Sequence, residues 1–150
     1  MLFAADDMLG KLARWMRMIG WDVTWSNRVA DDDLLRQARG EGRVILTRDT
    51  RLIRRLRSEE SLFIHDDFLE GQMREVFARF PELASEKRPL SRCVECNIAL
   101  EEIPKAEVKG RVWPFVYQSQ ERFTTCPRCR RIYWEATHVR KIRDRIGQLA

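Results

Sequence analysis

The chain has 150 residues, 44% of them hydrophobic and 34% charged, with a formal net charge of +5. The apolar fraction supports a packed core and excludes wholesale disorder, while a charged fraction above the usual quarter implies a heavily solvated surface. No run of eighteen apolar residues is present to span a bilayer, and the N-terminus lacks the basic start and cleavage site of a signal peptide, so a cytoplasmic protein is expected.

Taken in chain order, the apolar run 2–5 reads as a strand that stops at Asp6 and Asp7. Met8, Leu9, Leu12, Trp15, Met16 and Ile19 then recur at helical spacing, and Gly20 is placed to end that helix. Trp15 and Met16 belong to its core-facing stripe. The alternation repeats with a strand over 22–25, a helix over 31–39 closed near Gly40 and Gly42, and a strand over 43–47 ending at Asp49. A fourth strand is expected over 62–65 and another amphipathic helix over 68–80, before Pro81. Strands separated by helices of this length imply right-handed βαβ units and a parallel sheet flanked by helices, an α/β architecture. Residues 81–92 carry two prolines and no clear periodicity, which places a linker there and divides the chain into domains 1–88 and 89–150.

The two parts differ in charge and in cysteine. Residues 1–88 hold 16 Lys/Arg against 16 Asp/Glu, whereas 89–150 hold 12 against 7 and contain all four cysteines. The cationic excess would attract a polyanion first to the second part, although charge alone equally describes a soluble basic surface. Cys93-x-x-Cys96 and Cys126-x-x-Cys129 form two knuckles whose four thiolates suit a closed, structural zinc site. In a reducing compartment this spacing is better explained by metal than by disulfides. The stretch 112–116 is strand-like, and a closing helix is expected over 137–148, with Val139, Ile142, Ile146 and Leu149 as a packing stripe.

Open parallel sheets collect ligands beyond the carboxyl ends of their strands. Asp6 and Asp49 follow two such strands, and Asp31 opens a helix that starts at the same end. Three carboxylates there need cations, and hard oxygen donors suit magnesium or manganese, which support phosphodiester hydrolysis without a histidine or cysteine nucleophile. Asp6 or Asp7, and Asp31, could each instead cap a helix. Asp32 is a candidate supporting acid; Asp7 and Asp33 must partly face solvent, and Asp66 and Asp67 either add a carboxylate or cap the next helix. Lys11, Arg14 and Arg48 lie close to the acids in sequence and either contact substrate phosphates or neutralise the cluster.

The segment ADDMLGKLARWMRMIGWD (5–22), continued by DDDLL (31–35), ILTRD (45–49), both cysteine pairs and RIYWEATH (131–138), resembles the Mut-seven-C RNase domain family. The resemblance covers nearly the whole chain and implies a PIN-like nuclease domain followed by a zinc ribbon, with RNA as the substrate. It makes Asp6 the strand-one acid, Asp31 the helix-start acid and Asp49 the acid of a Thr-x-Asp motif. Two positions depart from the pattern: Thr50-Arg51 stand where many PIN relatives place a further acid, and Ala136 stands where a glycine is expected.

Around the second knuckle, Arg128, Arg130 and Arg131 alternate with Tyr133 and Trp134, while Lys105, Lys109 and Arg111 precede Trp113 and Phe115. The arginines are the expected RNA contacts. Trp113 and Trp134 are expected to pack the small ribbon, and His138 is a candidate helix-start residue rather than a zinc ligand. The leading expectation is therefore a metal-dependent ribonuclease with a structural zinc ribbon. The alternative is a catalytically inactive RNA-binding or adaptor protein. A receiver-domain reading of Asp6, Asp7 and Asp49 lacks the expected hydroxyl residue and terminal lysine after later strands.

Overall fold

In the computed structural model, which describes residues 1–85, 88–135 and 144, β1 (Leu2–Ala5) lies inside a four-stranded parallel sheet. Its neighbours are β2 (Asp22–Thr24) on one side and β3 (Val44–Thr47) on the other, and β4 (Ser61–Phe63) pairs with β3. Because strand side chains alternate between faces, Phe3, Ala5 and Leu46 enter one apolar cluster while Ala4 and Ile45 enter another. Both faces are thus covered, as parallel sheets require. The first cluster is closed by α1 (Gly10–Met18) and α4 (Leu69–Arg79); the second is closed by α2 (Asp31–Glu41) and α3 (Thr50–Ile53).

Helix α1 buries Leu12, Ala13 and Met16 at the spacing its sequence suggests, and Trp15 packs against the same cluster. Met8, expected in that stripe, instead lies in a 3-10 turn (Asp7–Leu9) and faces solvent. Helix α2 ends at Gly42, whose left-handed backbone turns the chain back into β3. The chain moves outward from β1 to β2 through α1, then crosses to the other side of β1 through α2. The strand order therefore reverses between β1 and β3.

The expected linker is not a free connection. A 3-10 turn (Pro81–Ala84) buries Leu83 in the sheet's core, and the amides of Arg88 and Leu90 then donate to the carbonyls of Ile19 (2.9 Å) and Met18 (3.0 Å) at the end of α1. Beyond it, β5 (Glu101–Ile103), β6 (Phe123–Thr125) and β7 (Ile132–Tyr133) form a three-stranded antiparallel sheet. Two short helices, α5 (Lys105–Val108) and α6 (Pro114–Ser119), fill the β5–β6 connection. The strand expected over 112–116 is thus corrected to a turn and a helix, with Pro114 at the first helical position, where its fixed φ and missing N–H are tolerated. The expected closing helix lies outside the described residues except for Asp144, and Ala136 and His138 lie outside them too.

Polar groups fasten the ribbon to the parallel sheet. Arg17, only 3% exposed, donates from Nε to the Val23 carbonyl (2.8 Å) and from Nη1 to those of Val94 (2.9 Å) and Glu95 (3.0 Å). Asp22 at the start of β2 accepts from Arg43 (2.6 Å) and from Asn97 Nδ2 (2.8 Å), and pairs with Arg92 (3.3 Å). On the surface, Glu95 receives both Arg14 (2.7 Å) and Arg131 (3.0 Å).

Candidate functional site

The reversal of strand order puts the ends of β1 and β3 side by side. Asp6, 5% exposed, continues the β1 ladder by donating its amide to the Leu46 carbonyl at 3.0 Å. Its Oδ1 accepts from the Met8 amide (3.0 Å), and its Oδ2 accepts from the Thr47 hydroxyl and the Arg48 amide (2.9 Å). The Thr47 Oγ1 also accepts from the Asp49 amide at 2.9 Å, so one hydroxyl joins the two strand-end acids. Asp49 caps α3 through Oδ1, which receives the amides of Arg51 (2.6 Å) and Leu52 (3.2 Å). Those N–H donors hold its carboxyl below the usual carboxylate range.

Asp31 opens α2 at the same end of the sheet and lies 3.8 Å from Arg55, which also binds Asp32 and depresses that carboxyl. Asp33 faces Arg36 at 2.8 Å, and Asp7 is exposed. Among the described residues, the four cysteines form the group of three or more Cys, His, Asp or Glu side chains close enough to share an ion; Asp6, Asp31 and Asp49 are not gathered to that closeness. The structure thus brings Asp6 and Asp49 to adjoining strand ends and leaves Asp31 on an arginine. The donors are of the oxygen type magnesium and manganese take. Here those of Asp6 are satisfied by the protein's own N–H and O–H groups.

After β4, Arg48 binds the Asp66 carbonyl and the Asp67 carboxylate, while Asp66 Oδ1 accepts from the Phe68 amide at 2.7 Å. Glu75 of α4 fixes this loop by accepting from the amides of His65 (2.9 Å) and Asp66 (2.7 Å). Burial pushes the Glu75 carboxyl up, but those donors outweigh it and leave it depressed. Glu75, Thr47 and Arg55 were not singled out from sequence. Only Thr47 carried a signal, as the first residue of the Thr-x-Asp motif.

Of the expected phosphate contacts, Lys11 is exposed on the first turn of α1, Arg14 is engaged by Glu95, and Arg48 is engaged by the loop after β4. Arg128, Arg130 and Arg131 are exposed at the second knuckle. A cleft of about 590 Å³ separates the carboxyl ends of β1 and β2, at Ala5, Thr24 and Trp25, from the knuckles at Glu95, Asn97 and Arg128. Trp25 closes over Gly10, where a Cβ would strike its ring, and donates its indole N–H to the Asp7 carbonyl at 3.3 Å.

The two knuckles repeat one geometry. The amides of Asn97 and Arg130 donate back to the carbonyls of Cys93 and Cys126, each at 2.9 Å, and both donors have left-handed backbones with φ of 60° and 63°. The sulfurs of Cys93, Cys96, Cys126 and Cys129 lie within 4.8 Å of one another, an all-thiol set that fits one metal ion and matches the preference of zinc. Burial pushes the Cys93 thiol up, but the Tyr133 hydroxyl at 3.1 Å and the amides of Cys96 and Glu95 prevail and hold it down at about 7. Burial and its cysteine neighbours raise Cys96 to about 12. Trp134 packs 6.5 Å from the Phe123 ring, as expected, but Trp113 does not pack: it is 79% exposed.

The chain that folds into this parallel sheet and four-cysteine ribbon matches the family model of the Mut7-C RNAse domain over residues 1–146. The chain belongs to the Mut7-C family. The match spans both modules and bears out the resemblance carried by residues 5–22, 31–35, 45–49 and the cysteine pairs. The Mut7-C assignment is that of a PIN-like nuclease fold, and the four-cysteine cluster is consistent with its zinc ribbon. No curated protein and no solved structure matches the chain. No helix among the described residues is long and apolar enough to cross a membrane.

Proposed function

We propose that the protein is a metal-dependent ribonuclease that hydrolyses RNA phosphodiester bonds at the carboxyl end of its parallel sheet. The observation that carries this reading is the Thr47 hydroxyl, which ties Asp6 and Asp49 together where the strand order reverses. Asp6, Asp31 and Asp49 would hold magnesium or manganese. Such an ion, when bound, lowers the pKa of water and stabilises a leaving oxygen.

The chain's own groups do the rest. Thr47 orients the Asp6 carboxylate and the Asp49 backbone. Arg55 neutralises Asp31 and Asp32 in the resting state and must release Asp31 before it can act as a ligand. Lys11 is available to a substrate phosphate, and Arg128 lines the cleft whose other wall ends at Ala5, next to Asp6. Zinc held by Cys93, Cys96, Cys126 and Cys129 is structural: four thiolates leave no open coordination position for substrate.

The test is incubation of the purified protein with a labelled RNA pool, with and without manganese. Metal-dependent cleavage that disappears in Asp49→Asn is the expected result; binding without cleavage under all metal conditions would establish the second reading. That second reading, an RNA-binding adaptor, is favoured by one observation: Asp6 already has both oxygens satisfied by protein donors.

A further inference from the structure

The exposure of Trp113 and Phe115, 79% and 77%, needs an explanation that packing does not give. Buried aromatic side chains remove on the order of 150–250 Å² each from water, and a small ribbon short of core residues would gain from using them. Instead both stand in solvent around the start of α6. Trp113 lines a groove of about 470 Å³ together with Trp134 and with Ile132 of β7. Its charged lining consists of Arg111, Arg130 and Arg131, with no carboxylate among the described residues that line it.

These groups are held in place. Arg111 Nη2 donates to the Arg130 carbonyl at 3.3 Å, which ties the turn before α6 to the second knuckle. Arg131 is oriented by Glu95 at 3.0 Å, and that one carboxylate is shared with Arg14, so positive charge remains in excess. A groove with three guanidinium groups and a bare indole is complementary to a polyanion that also presents flat π-faces. Duplex RNA hides its base faces within the stack, whereas an unpaired base can lie on an aromatic side chain.

We propose that this groove binds an unpaired nucleotide of single-stranded RNA, with the base stacked on Trp113 and the flanking phosphates on Arg111 and Arg130. The proposal rests on the RNA-binding part of the proposed function, not on cleavage, and adds that the ribbon selects unpaired strands. It gives the exposed indole a function, that of sequence-tolerant recognition.

The experiment measures fluorescence anisotropy of a short fluorescein-labelled oligouridine and of an RNA duplex of the same length, with neither magnesium nor manganese present. Wild type should prefer the single strand. Trp113→Ala should weaken that binding roughly five- to a hundredfold, as loss of one stacked base does, while Trp113→Phe should retain most of it. Arg130→Ala should weaken binding and reduce the slope of log affinity against log salt by about 0.7. Zinc content and melting temperature should not change in any variant, because these side chains are exposed. Unchanged affinity in Trp113→Ala, equal affinity for duplex, or wild-type self-association that Trp113→Ala abolishes would each overturn the proposal. Trp113-dependent binding by a protein that never cleaves would sink the nuclease reading and leave this one standing; cleavage with Trp113-independent binding would do the reverse.

Discussion

Arg17 of α1 donates to the carbonyl of Val94 at 2.9 Å, so a buried cation of the sheet module is satisfied inside the first cysteine knuckle. Burial lowers the pKa of this guanidinium, against the attraction of Glu95. The domain division read from sequence, 1–88 and 89–150, implies that removing zinc unfolds the ribbon alone. The Arg17 contacts imply otherwise, because the carbonyls of Val94 and Glu95 are lost when the knuckle opens. Chelation should therefore speed hydrogen exchange in β2 and α1 as well as in the ribbon. Arg17→Leu should cost about 2–4 kcal/mol by leaving buried carbonyls unpaired. Unchanged exchange in β2 and α1 after chelation would show that the modules are energetically independent.

Asp22 sets a pH dependence for the same junction. Burial pushes its carboxyl up, but hydrogen bonds from Arg43 and Asn97 and the charges of Arg43 and Arg92 prevail and leave it depressed. A carboxylate with a depressed folded pKa contributes stability that is fully present above its unfolded value, about 3.9, and is lost as pH falls through the folded value. Asp22→Asn should thus lower the melting temperature at neutral pH, by the equivalent of about 1–3 kcal/mol, and make the variant less sensitive to acid below about pH 4. Parallel melting curves for variant and wild type across that acid range would exclude the linkage.

The parallel sheet was legible because each strand and helix carries its own periodicity: α1, α2 and α4 fall within two residues of their expected bounds. The cysteine knuckles were legible from spacing alone. What joins the modules was not, because Arg17, Asp22 and Asn97 are single polar residues whose partners lie far along the chain. Arg17 did leave a trace, since it follows Ala13 by four residues on the buried face of α1. In the ribbon, the β-branched residues of 112–116 suggested a strand and obscured the helix-start signal of Pro114. Composition could not reveal that Trp113 faces solvent while Trp134 packs, since both sit in similar basic, aromatic stretches.

Gly71 supplies a test of the loop after β4. It lies buried on α4, where a Cβ would fall on the carboxylate of Asp66. Alanine favours helix, so on propensity alone Gly71→Ala should stabilise α4 by up to about 1 kcal/mol. The steric conflict is expected to win, because Asp66 is also held by its bond to the Phe68 amide and its amide's bond to Glu75. The substitution should destabilise the protein by about 1–3 kcal/mol, measured by denaturant unfolding, and should displace Arg48 from the Asp66 carbonyl. A gain in stability would mean that the loop moves aside freely.

The two strand-end acids separate structure from chemistry because their hydrogen bonding differs. Asp49 uses Oδ1 as a helix cap, and asparagine caps about as well as aspartate, so Asp49→Asn should melt at nearly the wild-type temperature. Asp6 accepts on both oxygens, and an asparagine NH₂ placed at Oδ2 would face the Arg48 N–H, donor against donor. Asp6→Asn should therefore cost about 1–3 kcal/mol in stability whatever it does to activity. If the acids act in RNA cleavage, both variants should lose on the order of a hundredfold or more in rate, the loss of several kcal/mol of transition-state stabilisation. Asp49→Asn is the cleaner experiment, because its fold is expected to be intact. Cleavage by that variant at the wild-type rate would remove Asp49 from the reaction and leave it as a helix cap.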